Sequence, residues 1–384
     1  MNVLFLALAR HQELYFQRLL DESTLTGRVV VPKSLPPPAL RGLKAVLTRT
    51  DWQHLVTDKC QERQVKGKYE GVLYRLLLRL DILVMGLRLW ALLERDCPAA
   101  IGVWNGANRY CQVLLGLLPA EVRPYFFENG LLPDTTTLDP HGVNYLNSMP
   151  RDAAFYREYA QQQSTGERYK VTLIPRKARI AEQVAICLPE RFVFIPFQDD
   201  RDTQVRLFSP WVRDMRGLFS LGERFANEFG LTVVFKEHPS SKHEYPDLHA
   251  RANDHLIFAN GNSTEELIRK SQFVVTVNST VGLESLLCSK PVMTLGQACY
   301  NIEGLVVQAS SENNAMRLVR DYPHWPLDES VREGFILYLK NEYCIPRSWQ
   351  RPDQEHVRRV AARLSGQDIL AGKKNPRLVY NDFL

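Results

Sequence analysis

An α/β fold with two sheets is what this chain predicts, and three observations predict it. Short apolar, β-branched runs alternate with amphipathic helical patterns up to about residue 150. A polar stretch rich in Gln, Arg and Glu, 151–189, breaks the rhythm, and the same alternation resumes at Arg191. Alternating strand and helix signals build parallel sheets covered on both faces. The expectation is therefore two Rossmann-like domains facing each other across a cleft. The boundaries are 1–150 for the first domain, 151–189 for a linker, 190–325 for the second domain, and 326–384 for C-terminal helices with a basic tail.

In the first domain, strands are expected at Val3–Leu8, Arg28–Val31, Ala99–Trp104 and Pro124–Phe127, with helical patterns near 11–21, 39–57, 70–95 and 107–118. The apolar start, Met1 to Leu8, has no basic lead and runs into Arg10 and His11, so it reads as a buried strand rather than a signal peptide. Leu35-Pro36-Pro37-Pro38 is a stiff connector. Val72 to Leu93 is strongly apolar, but Arg75, Arg79, Asp81 and Arg88 interrupt it. Such a run does not suit a bilayer core. It reads as a long, largely buried helix, with interfacial membrane contact as the alternative.

The second domain has strand signals at Phe192–Phe197, Leu231–Phe235, Leu256–Ala259, Phe273–Val277, Val292–Leu295 and Leu305–Gln308. Helical patterns follow near 209–229, 263–270, 280–288 and 312–321, then near 329–343 and 353–364. The last helices are expected to return to the first domain, and Gly372 to Arg377 is the basic tail.

Composition bounds the function. The chain has 384 residues, 45% hydrophobic and 24% charged, which allows two ordinary cores. A net charge of +5 suits an anionic substrate or an anionic membrane surface and falls short of a nucleic-acid footprint. Seven scattered cysteines with no C-x-x-C argue against a disulfide framework or structural zinc and favour a reducing, cytoplasmic setting.

The chemistry is expected at strand ends, because ligands of open parallel sheets bind outside the carboxyl ends of strands. Phe235-Lys236-Glu237-His238-Pro239 closes one strand, and Asn278-Ser279-Thr280-Val281-Gly282-Leu283-Glu284 opens a helix after another. A helix start presents unpaired N–H groups and a positive dipole end, which suits a phosphate. With His238 on what is expected to be the neighbouring strand, the two motifs read as a nucleotide-phosphate pocket. The alternative is a packing histidine and an ordinary N-cap.

Two acidic positions stand at other strand ends. Glu128 precedes Gly130 and the polar segment Leu131 to Asn144, read as a functional loop. Gln198-Asp199-Asp200-Arg201-Asp202-Thr203-Gln204 follows the first strand of the second domain. Its three carboxylates call for a ligand, a metal, Arg201 or a helix cap to balance them. Asp200-Arg201-Asp202 also has the D-x-D form of metal-dependent glycosyltransferases.

Taken together these residues resemble the retaining β-Kdo transferases of bacterial capsule and lipopolysaccharide assembly, which use CMP-activated 3-deoxy-D-manno-oct-2-ulosonic acid (Kdo). The resemblance runs from Glu128-Asn129-Gly130 through Gln198 to Gln204, Lys236 to Pro239 and Asn278 to Leu286. It ends at Lys290-Pro291-Val292, Gly296, Tyr300-Asn301 and Gly304-Leu305, about half the chain in matching order. The His-Pro and Ser-Thr pairs are also similar to bacterial sialyltransferases. The resemblance implies a GT-B-like, metal-independent cytoplasmic enzyme of capsule or O-antigen synthesis with no cofactor beyond the CMP-Kdo donor. Its partners would be a lipid-linked or oligosaccharide glycan acceptor and the inner face of the inner membrane, and no nucleic acid. His238, Ser279, Thr280 and Gln204 would hold CMP, and Lys236 would either add charge or pack its stem in the sheet. Asp202 matches the carboxylate nucleophile, with Asp200 as the second choice, and Glu128 matches the acid/base. A CMP-sialic acid or CDP-glycerol transferase and a non-catalytic scaffold of the same fold are the competing readings.

Overall fold

The computed structural model describes residues 1–65, 67–163, 184–239, 241 and 244–370. The chain divides into two compact units, Met1–Ser148 with Glu342–Leu384, and Met149–Asn341. Each holds a six-stranded sheet.

The first unit contains β1 (Asn2–Leu6), β2 (Thr26–Val30), β3 (Ala100–Trp104), β4 (Arg123–Asn129), β5 (Thr135–Asp139) and, from its returning segment, β12 (Ile345–Pro346). The strand order is β12-β5-β4-β3-β1-β2. β1 to β4 are parallel, whereas β5 runs antiparallel to β4 and β12 antiparallel to β5. Side chains alternate between faces along a strand. Val3 and Phe5 accordingly enter one core cluster and Leu4 and Leu6 the other, which is why β1 is apolar from Val3 to Leu6.

Within the segment expected as a functional loop after Glu128, Thr135–Asp139 forms β5 instead. Thr136, Thr137, Leu138 and Asp139 are buried there. β-branched threonines suit a pleated, half-covered surface, and the polarity that suggested a loop is absorbed by pairing on both sides. Thr136 Oγ1, for example, donates to Arg347 O at 3.0 Å. Gly130 makes the hairpin possible: a Cβ there would lie 1.9 Å from Thr135 Oγ1.

The second unit contains β6 (Val193–Pro196), β7 (Val233–Lys236), β8 (Leu256–Phe258), β9 (Val274–Thr276), β10 (Val292–Thr294) and β11 (Val307–Gln308). All its pairings are parallel, in the order β11-β10-β9-β6-β7-β8. Chain order therefore reverses between β6 and β9, the doubly wound arrangement with a switch point there. β7 and β9 are not neighbours, contrary to the expectation that placed His238 on the strand next to Ser279. β6 lies between them, because the crossover after β8 carries the chain to the other side of β6. Two strand spacings, about 10 Å in the hydrogen-bonding direction, separate those strands.

The polar stretch expected as a linker begins with a helix, Ala153–Gln163, of the second unit. It packs on helix Glu329–Tyr338, where a Cβ on Gly334 would meet Tyr156 O at 1.8 Å. Arg157 pairs with Asp328 at 2.6 Å across the same contact. Residues 164–183 of the expected linker, and the basic tail from 371, lie outside the described residues. Of the two last helical patterns, Glu329–Tyr338 stays with the second unit and only Gln354–Leu364 returns to the first. Arg363 anchors that return. Buried, it donates to Leu138 O at 2.9 Å, Tyr343 O at 2.6 Å and Glu342 O at 2.7 Å, with Asp368 as its carboxylate partner.

Candidate active site

The second unit's switch point is closed by two amides. Gln198 leaves β6 and Asn278 leaves β9; Gln198 Nε2 donates to Asn278 Oδ1 at 3.0 Å, and Asn278 N donates to Gln198 Oε1 at 3.2 Å. Both are buried. Asn278 Nδ2 also donates to Gln204 O at 2.9 Å and to Phe208 O at 3.3 Å. Buried amides need these partners, since an unsatisfied one costs about 1–3 kcal/mol. The clamp fixes helix Thr203–Phe208 against the strand ends. Gln297 N donates to Phe208 O at 2.8 Å from beyond β10, and Gly296 leaves room, since a Cβ there would stand 2.7 Å from that carbonyl oxygen.

The three aspartates after Gln198 are separated by what they accept. Asp199 Oδ1 takes Arg201 N at 2.9 Å and closes the turn. Asp200 accepts from Met215 N at 2.8 Å and from Tyr245 OH at 2.9 Å, tying the loop to the start of helix Met215–Phe229. Burial, and then Asp200, push the Tyr245 hydroxyl far up, so it stays a neutral donor. Asp202 is the exposed one, and its Oδ1 caps helix Thr203–Phe208 by accepting from Gln204 N at 2.9 Å. Each of the three aspartates thus accepts a backbone N–H group. Arg201 turns only its backbone N–H toward Asp199; its side-chain Nε is buried and has no hydrogen-bond partner.

Beside this, helix Thr280–Leu287 opens with Ser279 as N-cap, its Oγ accepting from Val281 N at 3.1 Å. The hydroxyl hydrogen of Ser279 is left to donate. Tyr300 OH donates to Ser279 O from a fully buried ring, and burial holds that phenol well above its usual range. Gly282 admits the ring: a Cβ there would fall 2.3 Å from the Tyr300 oxygen. Thr280 is exposed at the helix start.

Lys236 does not reach toward this helix. Its Nζ donates to Asn260 O at 2.5 Å and Asn262 O at 2.7 Å, and burial lowers its pKa. The charge closes the loop after β8, where Glu237 N also donates to Asn260 Oδ1 at 2.8 Å. His238 is half-buried in the turn after β7, whose carbonyl accepts from Ser241 N at 3.0 Å.

At the carboxyl end of the first unit's sheet, Glu128 accepts from Asn105 Nδ2 at 2.7 Å, Asn129 N at 2.9 Å and Asn129 Nδ2 at 3.1 Å. Asn105 has a left-handed backbone (φ 61°) in the turn after β3, a conformation asparagine tolerates well. Asn129 Oδ1 accepts in turn from Trp349 Nε1 at 2.9 Å. Trp349 meets Trp104 edge-on, with ring centres 5.0 Å apart, and His11 leans on it at 5.2 Å. A cavity of 480 Å³ in this unit, lined by His54, Gln112, Phe126 and His141 among others, lies at the opposite end of the sheet, where β4 begins.

The residues missed in the sequence are Asn105, Trp104, Trp349, Tyr245 and the donor role of Tyr300. The Asn105-Gly106 pair was a readable turn signal. Trp349 carried none, because 220 residues separate it from the Asn129 it contacts.

Residues 175–333 match the family of capsule polysaccharide biosynthesis proteins. Over 262 residues, 67% of this chain, the sequence is 36% identical to protein FixF of Sinorhizobium fredii, covering 63% of that protein. It is 25% identical over 254 residues to the capsule polysaccharide export protein KpsS of Escherichia coli, covering 49% of this chain and 64% of KpsS. The chain thus spans less than two thirds of each relative. Among solved structures it is similar to KpsC of Thermosulfurimonas dismutans, a β-Kdo 2,7 transferase, at 13% identity and a TM-score of 0.45, over 87% of this chain and 90% of that one.

Proposed function

We propose that this chain is a retaining glycosyltransferase of capsule-type polysaccharide synthesis that moves Kdo from CMP-Kdo to a glycan acceptor. The observation that carries the reading is the placement of Asp202. It caps a short helix that the Gln198–Asn278 clamp fixes at the switch point, next to the opening of helix Thr280–Leu287. A carboxylate is thereby close to a helix start of the kind that suits a phosphate. The family match over 175–333 and the order of motifs support the same class.

In this reading Asp202 attacks the anomeric carbon, and CMP leaves with the bonding electrons of the sugar–phosphate bond. Ser279, Thr280 and His238 stabilise the phosphate, Gln204 belongs to the same pocket, and Arg201 meets the sugar's carboxylate. Glu128 then takes the proton of an acceptor hydroxyl, whose oxygen displaces Asp202 from the sugar. The Trp349, Trp104 and His11 rings give that acceptor an aromatic edge. Because CMP is a stabilised leaving group, the scheme uses no metal and Asp200 stays an anchor.

The test is mass spectrometry of Glu128→Gln incubated with CMP-Kdo, alongside thermal shifts with CMP, CDP, UDP and ADP. A Kdo adduct on Asp202 and CMP-selective stabilisation are expected. Stabilisation by UDP or ADP but not CMP would replace the donor, and turnover with no adduct on Asp202 or Asp200 would replace the mechanism.

A further inference from the structure

The exposed apolar residues of this chain are concentrated in one region. Among the described residues, ten of the fifteen large hydrophobic side chains that stand exposed fall between Leu40 and Val84. Helix Val72–Asp96 buries one face, with Leu78, Ile82, Met85 and Leu89 in the first unit's core. At about 100° per residue, Leu73, Leu77, Leu80 and Val84 fall on the opposite face, with Leu76 beside them. Leu73 is 67% exposed, Leu76 63%, and Leu77 and Leu80 56% each. Leu43 and Leu47 are also exposed, on the neighbouring helix Leu43–Arg49, whose Val46 packs at Gly86. Single exposed leucines are ordinary, but a stripe of three turns marks a surface that is covered in use.

The surrounding charges identify the cover. The acids beside the stripe are engaged, Glu70 with Arg75, Asp81 with Arg109 and Glu94 with Arg41. Lys44, Lys68 and Arg79 are exposed and form no ion pair among the described residues. An apolar stripe edged by free cations complements a lipid surface with anionic headgroups. A second copy of the same face would instead bring like charges together.

We propose that the Leu73–Val84 face of this helix rests on a membrane containing anionic lipid. The leucines reach the boundary of the acyl chains, and Lys44, Lys68 and Arg79 meet the lipid phosphates. Among the described residues no helix is long and apolar enough to cross a membrane, so the contact is interfacial. The assignment is independent of the transfer reaction.

Vesicle flotation of the full chain tests it, with phosphatidylcholine alone and with added phosphatidylglycerol. The wild type should float with the anionic vesicles and lose binding as salt rises. Leu76→Glu with Leu80→Glu should weaken partition by roughly tenfold or more at unchanged melting temperature, since both side chains are exposed. The milder serine pair serves if the glutamates disturb folding. Lys44→Glu with Arg79→Glu should abolish the preference for phosphatidylglycerol. Failure of the wild type to float, or flotation unaffected by the leucine substitutions, would overturn the assignment. A concentration-dependent dimer that those substitutions dissociate would give the face to a second copy.

Discussion

The carboxyl ends of the two sheets are built from different materials. In the second unit, aspartates accept backbone N–H groups, an amide pair bridges β6 and β9, and a helix starts at Ser279. In the first unit, Glu128 is held by the side-chain amides of Asn105 and Asn129, and the surroundings are indole and imidazole rings. Backbone dipoles and helix starts stabilise anions at fixed points. Amides and aromatic rings suit a neutral, hydroxyl-rich ligand that needs shape more than charge. In the proposed reading, the charged donor belongs to the second unit's sheet and the glycan acceptor to the first's.

The sharpest way to break that division is to compare two aspartates two residues apart. Asp202→Asn should lower turnover of CMP-Kdo on the order of 10³-fold or more if Asp202 is the nucleophile. The cap it loses is worth only about 1 kcal/mol of stability. Asp200→Asn should act mainly on folding, because Met215 N and Tyr245 OH lose a charged acceptor. Steady-state kinetics and urea melts separate the two, and the reverse pattern would transfer the nucleophile to Asp200.

Asn278→Leu probes the clamp. It leaves Gln198 Nε2 and the Gln204 carbonyl without their side-chain partner, while Phe208 O keeps Gln297 N, so a loss of about 1–3 kcal/mol in chemical denaturation is expected. A change below about 0.5 kcal/mol, the range of plain surface substitutions, would show that the strand ends are held by other contacts.

Lys236 and His238 sharpen the comparison within a single strand end. His238→Ala should weaken CMP binding by about 1.5–3 kcal/mol, the worth of a charge-assisted hydrogen bond. Lys236→Met should leave CMP affinity nearly unchanged and lower the melting temperature, because its ammonium serves the carbonyls of Asn260 and Asn262. Calorimetric titration reads the first effect and a thermal melt the second. Equal losses of affinity would return Lys236 to the phosphate.

The smallest effect belongs to the first unit. His356 Nδ1 lies 2.9 Å from Pro346 O, an obligatory acceptor, so that nitrogen carries the proton and Nε2 accepts from Tyr15 OH at 2.7 Å. Burial lowers its pKa, keeping the folded imidazole neutral. The unfolded chain takes up a proton below about pH 6.5, so this contribution is present above that value and is lost as pH falls toward the folded pKa. Melting temperatures between pH 7.5 and 5.5 should fall less in His356→Gln than in the wild type. Identical slopes would remove the histidine from the pH response.

Where the sequence was legible, it was so for local reasons. The apolar runs of β1 and β6 are buried on both faces, so nothing in their pattern was ambiguous. The helix after Asn278 announced itself by Ser279 at its cap, whereas Thr203–Phe208 was foreshadowed only by the alternative that made the aspartate cluster a helix cap. β5 was hidden because threonine serves loops and strands equally, and only pairing with β4 and β12 decides between them. Lys236 was open between two roles because the carbonyls it meets, at 260 and 262, come from a different strand's loop.

The sequence by itself determined the two α/β blocks, ten of the described strands, and the strand-end identity of Glu128, Asp200, Asp202, His238 and Ser279. Hydrophobic period and capping chemistry act within a few residues, so they are written in the order of the chain. Tertiary structure alone decided that β6 separates His238's strand from Ser279's, that Asp200 anchors while Asp202 caps, and that Trp349 returns beside Glu128. Those outcomes depend on crossovers and on hydrogen bonds between residues far apart in the chain. Local pattern carries no record of such partners, because a buried donor or acceptor is satisfied by whatever the fold brings to it.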